Sequence, residues 1–233
     1  MPPHTADDDR PDRLSRRTTL VRAGGLAAAA LGAGSLSAEA ATSGRSSALA
    51  CVLTPEMTEG PFYVAGEKVR RNITEGLPGA ALALRLRVLD SSTCKPIKGA
   101  AVDIWHCSAG GTYSGVEADD SVGKTFLRGI QLTDAKGLAQ FKTVYPGWYQ
   151  GRTVHIHVKV HVGGDVVHTG QLFFRDAFTD GVYKRSPYKA RGARDVRNAD
   201  DSIYGSGGSR SLLSMQTIGK GYVGSISMGV NRA

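Results

Sequence analysis

From Ala81 onwards the chain is broken by turn signals so often that no long amphipathic helix fits anywhere, and this limits the fold more than any other feature. What lies between the turns alternates. "ALALRLRVLD" (81–90) puts an apolar residue at every second position, as a half-buried strand requires. "SSTCKPIKG" is a turn cluster and "AAVDIWHCS" a second strand, so the pair reads as a hairpin. "TFLRGIQLTD", "LAQFKTVYPG", "RTVHIHVKVHVGG", "DVVHTGQLFF" and "GYVGSISMGV" continue the pattern, with Gly163-Gly164 a hairpin turn between two of them. Residues 176–202 are polar and irregular, with room for one short helical turn. Seven short strands at regular spacing, with no internal repeat, predict an all-β chain, an antiparallel β-sandwich or barrel of Greek-key type, with function on long loops at one end.

The first 40 residues have a different character. "DRLSRRTTLVRAGGLAAAALGAGSLSAEA" has a charged region with paired Arg16 and Arg17, a weakly apolar run, and the small-x-small site Ala38-Glu39-Ala40. That is the pattern of a twin-arginine export signal, although Thr19 stands where a bulky apolar residue is usual. The apolar run of about 14 residues is too short to span a bilayer, so no stable membrane insertion is expected after cleavage. Residues 41–50 read as a linker and 51–233 as one domain. "ALAC", ending at Cys51, looks like a lipid-attachment site but lies well past the apolar run.

The whole chain carries a formal charge of +8. The leader's arginines (10, 13, 16, 17, 22) are matched by its acids (Asp7, Asp8, Asp9, Asp12, Glu39), so the excess belongs to the mature part. A basic exported protein suits anionic surfaces or polymers, but no block of like charge forms a nucleic-acid tract. Three cysteines in an exported chain imply one disulfide and one thiol. Cys94 lies in a turn and Cys107 at the far end of the next strand, so the bridge should join Cys51 to one or the other.

Two of only six histidines, His155 and His157, sit two apart in a β-branched run and so share a strand face. Val154, Ile156, Val158 and Val160 form the opposite, core-facing set, so the histidines need not be buried. A histidine pair of this kind is weak evidence alone, because two solvent-facing rings give the same pattern. Tyrosines in nearby loops strengthen it: Tyr113 in "GGTYSG", and Tyr145 and Tyr149 in "YPGWYQG". Two phenolates and two imidazoles suit a hard trivalent cation. There is no usable acidic pair near the histidines and no Cys-x-x-Cys, which argues against structural zinc. His161, about 13 Å along the strand from His157, is out of reach. His106 reads as structural, and His168 has no evident partner.

The segments "LTPEMTEGPFY", "PIKGAAVDIWHCSAGGTYSG", "FLRGIQLTDAKGLAQFKTVYPGWYQGRTVHIHVKV", "TGQLFF" and "GYVGSISMGV" together resemble the intradiol ring-cleavage dioxygenases. That family includes catechol 1,2-dioxygenase and protocatechuate 3,4-dioxygenase, and the likeness is to its exported, single-domain branch. The resemblance implies a prealbumin-like β-sandwich, one non-haem Fe(III), and a catechol and O2 as substrates. It implies Tyr113, Tyr149, His155 and His157 as ligands, and Tyr149 also as an acceptor of a substrate proton. It assigns Arg152 to charge developing on the ring, and Gln171 to hydrogen bonding in the pocket. Tyr63 in "EGPFY" is a possible substrate contact, with Tyr145 and Trp148 as pocket walls. The chain departs from the cytoplasmic enzymes in a shorter Tyr149–His155 stretch, in Trp148 where a proline is common, and in lacking a long N-terminal helical region. The competing readings are a non-catalytic, transthyretin-like secreted binding module and a copper oxidase, for which further well-placed histidines are wanting.

Overall fold

The computed structural model describes residues 52–232; the expected leader (1–40), the linker (41–50) and Cys51 lie outside the described residues. β1 (Ala81–Asp90) and β2 (Ala101–Trp105) show how the sheets divide. In β1, Leu82, Leu84, Leu86 and Val88 are buried while Arg85 and Arg87 are exposed, so the strand needs cover on one face only. In β2, Val102 and Ile104 are buried on one face, and Asp103 and Trp105 on the other. A strand hidden on both faces belongs inside a covered sheet, and the expected β1–β2 hairpin does not form. β2 pairs instead with β3 (Arg128–Leu132) and β5 (His155–Val162). The turn after β1, with Cys94 at φ 58° and a bridge between Leu89 and Pro96, carries the chain to the second sheet.

The remaining strands are β4 (Leu138–Val144), β6 (Asp165–Phe173), β7 (Ser214–Ile218) and β8 (Gly221–Val230). They complete two four-stranded sheets, ordered β4-β1-β8-β7 and β3-β2-β5-β6. One ladder corrects the antiparallel expectation: β1 and β8 run parallel, from Leu82 beside Tyr222 to Asp90 beside Val230. Parallel neighbours need a long connection, and here β2 to β7 all lie between the two strands along the chain. β7 is an eighth strand that the sequence pattern does not reveal. It is mostly exposed, lies at a sheet edge, and is held by its ladder to β8 rather than by a buried face. The β5–β6 hairpin forms as read, with Gly163 and Gly164 both at positive φ.

Leu84, Leu86, Ile104, Phe141, Ile156, Val158, Leu172 and Met228 pack between the sheets. Burying one such aliphatic side chain contributes roughly 1.5–3 kcal/mol. The return segment carries α1 (Asp176–Tyr183), α2 (Ser202–Gly205) and short 3-10 turns, more helix than the single turn expected. Tyr145 belongs to this part of the core and not to a pocket wall. It is fully buried, its hydroxyl bonds Thr179 Oγ1 at 2.8 Å, and Phe174, Phe178, Tyr183 and Tyr188 surround its ring. Cys94 is disulfide-bonded and Cys107 is a buried free thiol, which leaves Cys107 out of the bridge.

Candidate metal centre

β5 is buried on both faces. His155 and His157 are 3% and 1% exposed, against the expectation that their side of the strand could face water. The cover comes from chain remote in sequence. Trp105 on β2 lies opposite His157 and stacks on its ring, with centroids 4.9 Å apart and planes within 7°. Gly60 presses against the same ring: a Cβ there would come within 3.2 Å of His157 Cε1. Phe62 stacks on Tyr113 at 4.4 Å and meets the Tyr149 ring edge-on at 5.6 Å. An aromatic layer therefore closes over this side of the strand, and both histidines are buried.

Two loops bring the tyrosines together by packing backbone on backbone. A Cβ at Gly147 would lie 2.5 Å from the carbonyl oxygens of Ser108 and Ala109, and one at Gly111 would lie 2.4 Å from that of Trp148. Only glycine permits this approach, which sets the Tyr113 and Tyr149 rings edge to face at 5.5 Å. Around Tyr113 the loop is held by Tyr113 N donating to Asp119 Oδ2 and Ser121 Oγ donating to the Tyr113 carbonyl, both at 2.6 Å.

Three side-chain tips meet, and the Tyr113 ring lies beside them, 5.5 Å from the ring of Tyr149 and 6.2 Å from that of His157. His155 Nδ1 donates to the Thr153 carbonyl at 2.7 Å, which leaves Nε2 as the lone-pair nitrogen. That Nε2 lies 3.0 Å from His157 Nε2 and 3.4 Å from Tyr149 Oη. Tyr113 Oη is buried and has no hydrogen-bonding partner among the described residues. Burial, with positive Arg152 next, pushes His155 down to about 3, and burial followed by its neighbour His155 pushes His157 well below its ordinary value. Burial therefore favours the neutral form of both rings, the form in which an imidazole nitrogen can offer its lone pair. Burial raises Tyr113 well above the usual phenol range and raises Tyr149 as well, the latter opposed by Arg152.

Arg152 and Gln171 stand beside this set. Arg152 Nη2 donates to Gln171 Oε1 at 2.6 Å, Nη1 lies 3.5 Å from Tyr149 Oη, and Nε donates to Asp201 Oδ2 at 2.8 Å. Gln171, opposite His157 in the β5–β6 ladder, donates through Nε2 to the Thr58 carbonyl at 3.0 Å. Tyr63 is one ring further back. It packs on Trp105 at 4.9 Å with Lys159 Nζ 3.7 Å above its ring, and burial with Asp103 nearby pushes its phenol up to about 12. Trp148 is half-buried, under the Arg191 guanidinium. His106 is structural as read: Nδ1 donates to the Cys107 carbonyl, and Nε2 lies 2.7 Å from Thr143 Oγ1. His161 stands at the strand end, and His168 Nε2 is buried without a partner.

No residue pattern marks Phe62, Trp105, Thr153 or Asp201 as parts of the site. Their roles come from contacts across the fold, and Asp201 is 49 residues beyond Arg152. Among the described residues no three His, Cys, Asp or Glu side chains cluster to hold a metal. The donors available are two imidazoles and two phenols, a set that fits ferric iron and not the soft-ligand metals. The partnerless Tyr113 oxygen and the two facing Nε2 atoms are what such an ion would satisfy.

A protein-family model described as "Dioxygenase" matches residues 58–180. The solved structure of an intradiol ring-cleavage dioxygenase from Tetranychus urticae is 35% identical, with a TM-score of 0.74, covering 78% of this chain and 95% of that one. The dioxygenase domain of a dioxygenase–carbohydrate-binding protein fusion from the cellulolytic bacterium Streptomyces sp. SirexAA-E is 30% identical, with a TM-score of 0.61, covering 78% and 99%. Catechol 1,2-dioxygenase 2 of Acinetobacter lwoffii is 38% identical over 108 residues, 43% of this chain but only 38% of that enzyme's length. The chain belongs to the intradiol ring-cleavage dioxygenase family.

Proposed function

We propose that the protein is a non-haem Fe(III) dioxygenase that cleaves a catechol-type ring between its hydroxyl-bearing carbons with O2, giving a cis,cis-muconate-type product. The observation that carries this is the convergence of Tyr113, Tyr149, His155 and His157 beside Arg152 and Gln171. Those first four residues would hold the ion. Bound there, ferric iron supplies Lewis acidity and a template for the two catechol oxygens.

The protein's own groups do the rest. Tyr149 Oη, beside Arg152, would accept a proton from a catechol hydroxyl as the phenolate that ion binding would leave there. The Arg152 guanidinium offers positive charge where negative charge develops on the ring. Gln171 fixes the far end of that guanidinium and shapes the pocket floor. Phe62 and Trp105 keep water from the reacting face, and Tyr63 lines the approach. The two sheets are read as a prealbumin-type Greek-key sandwich. The chain is read as exported through a twin-arginine signal at 1–40, a cue outside the described residues, so the substrate would be an extracellular aromatic.

Iron-loaded protein should be red-brown and should consume O2 with at least one catechol from a panel, with muconate absorbance appearing in step. Tyr149→Phe should shift the visible band while the protein still binds iron. Colourless protein after iron loading, or no uptake with any catechol, would end this reading and favour the non-catalytic binding module.

A further inference from the structure

Asp201 joins three parts of the centre through one buried carboxylate. Oδ2 accepts from Arg152 Nε and from Thr153 N, both at 2.8 Å. Oδ1 accepts from Ile203 N at 2.8 Å and Tyr204 N at 3.0 Å, capping α2. The carboxylate side chain is 1% exposed. Burial alone would raise its pKa, but the N–H groups of Tyr204 and Thr153, together with Arg152, hold it below the usual carboxylate range.

Each bond constrains something further on. With Nε held by Asp201 and Nη2 by Gln171, the plane of the Arg152 guanidinium is fixed, and Nη1 is the edge turned toward Tyr149. Thr153, gripped at its N–H by Asp201, presents its carbonyl to His155 Nδ1, and that bond turns His155 Nε2 into the centre. The neighbouring segment braces the same turn: Asn198 Oδ1 accepts from Thr153 Oγ1 at 2.7 Å, and Asp195 Oδ2 accepts from Gly151 N at 2.9 Å.

We propose that Asp201 is a positioning residue for ring cleavage, whose carboxylate directs Arg152 Nη1 and, through Thr153, the His155 ring, without itself touching substrate or metal. The inference rests on the dioxygenase reading of the site. An asparagine keeps the size but offers one acceptor oxygen and an NH2 group, so it cannot serve all four donors.

The test combines kinetics with a measurement that does not need turnover. In iron-loaded protein, Asp201→Asn should keep its iron and lower kcat by about a hundredfold with little change in KM. In an Arg152→Ala background the same change should cost far less, because only the Thr153–His155 arm is left to lose. In nitrogen-15-labelled protein loaded with diamagnetic gallium(III), Arg152 Nε–H should give a resolved, slowly exchanging resonance that Asp201→Asn abolishes. Equal losses in both backgrounds, or a resonance that Asp201→Asn leaves untouched, would overturn the proposal.

If Asp201→Asn does not fold, Arg152→Lys takes its place, since it leaves the Asp201–Thr153 bond intact. One ammonium cannot reach Asp201 and Gln171 together and still face Tyr149, so kcat should fall as far as in Arg152→Ala. Wild-type kcat in Arg152→Lys would refute the positioning role. A protected Nε–H in wild-type protein that turns over no catechol would uphold the geometric half of the proposal and sink the dioxygenase reading alone.

Discussion

The two faces of β5 are built from alternate residues of one strand, yet they obey different rules. On the inner face Val154, Ile156, Val158 and Val160 are at most 2% exposed and meet only the apolar core between the sheets. On the outer face His155, His157 and Lys159 are nearly as buried, but beneath loops and aromatic rings. Around that outer face lie Asp103 Oδ1 and Oδ2, Trp105 Nε1, Tyr113 Oη, Arg128 Nη1 and His157 Nδ1, all buried and, among the described residues, without a hydrogen-bonding partner. Native proteins seldom leave buried polar atoms unpaired, and where they do a functional role or a bound water or ion is a common reason. The inner face is optimised for stability, whereas the outer face gives up stability in order to hold reactive groups.

Exchanging the losses between the two faces tests this contrast. The largest effect is expected at His157→Ala, which should abolish iron binding and lower kcat/KM at least ~1000-fold while barely moving the melting temperature of the iron-free protein. Metal analysis and calorimetry check it, and a collapse of the fold would show that the outer face is structural after all. One residue back, Ile156→Ala should do the reverse. It should cost about 3 kcal/mol, a fall of roughly 6–12 °C, with iron stoichiometry intact in the protein that stays folded.

A smaller effect is expected at Gly147→Ala. The new methyl group would drive the two tyrosine loops apart, lowering kcat/KM by about tenfold and weakening the phenolate-to-iron band, with little change at β5. Ordinary kinetics with an unaltered spectrum would show that the loops yield without moving the tyrosines.

The smallest effect belongs to Asp103, a carboxylic acid that burial, with Glu67 nearby, pushes up to about 7. Its folded-state value exceeds its ordinary one, so its proton is held more tightly in the folded protein. Its contribution is therefore most favourable below pH 4 and is lost as pH rises toward 7. Asp103→Asn should accordingly raise the melting temperature at pH 8, by about 2–4 °C if ~1 kcal/mol is recovered, and change it little at pH 4. A gain that does not depend on pH would mean that Asp103 is neutral throughout.

What could be read from the sequence follows the same division. Alternation is local, so β1, β5 and the Gly163-Gly164 hairpin are evident from the residues alone, as is the pairing of His155 with His157 on one face. Partner choice is not local. The alternation of "AAVDIW" fits a hairpin with β1 as well as a central strand, and only the cover over Asp103 and Trp105 decides for the latter. β7 escaped notice because an exposed edge strand needs no apolar pattern. The burial of the histidines is not legible, because the groups against His157, Gly60 and Trp105, come from segments that no spacing rule connects to β5. For the proposed ligands, the residues alone point to three loop tyrosines, Tyr113, Tyr145 and Tyr149, and only the family motifs choose between them.

The glycine contacts at 111 and 147 make the two tyrosine-bearing loops a single mechanical part. Neither can be lengthened, shortened or exchanged alone without lifting its partner off the shared backbone seam. Efforts to retune the proposed pocket would therefore have to transplant residues 108–113 and 146–149 together, as one cassette.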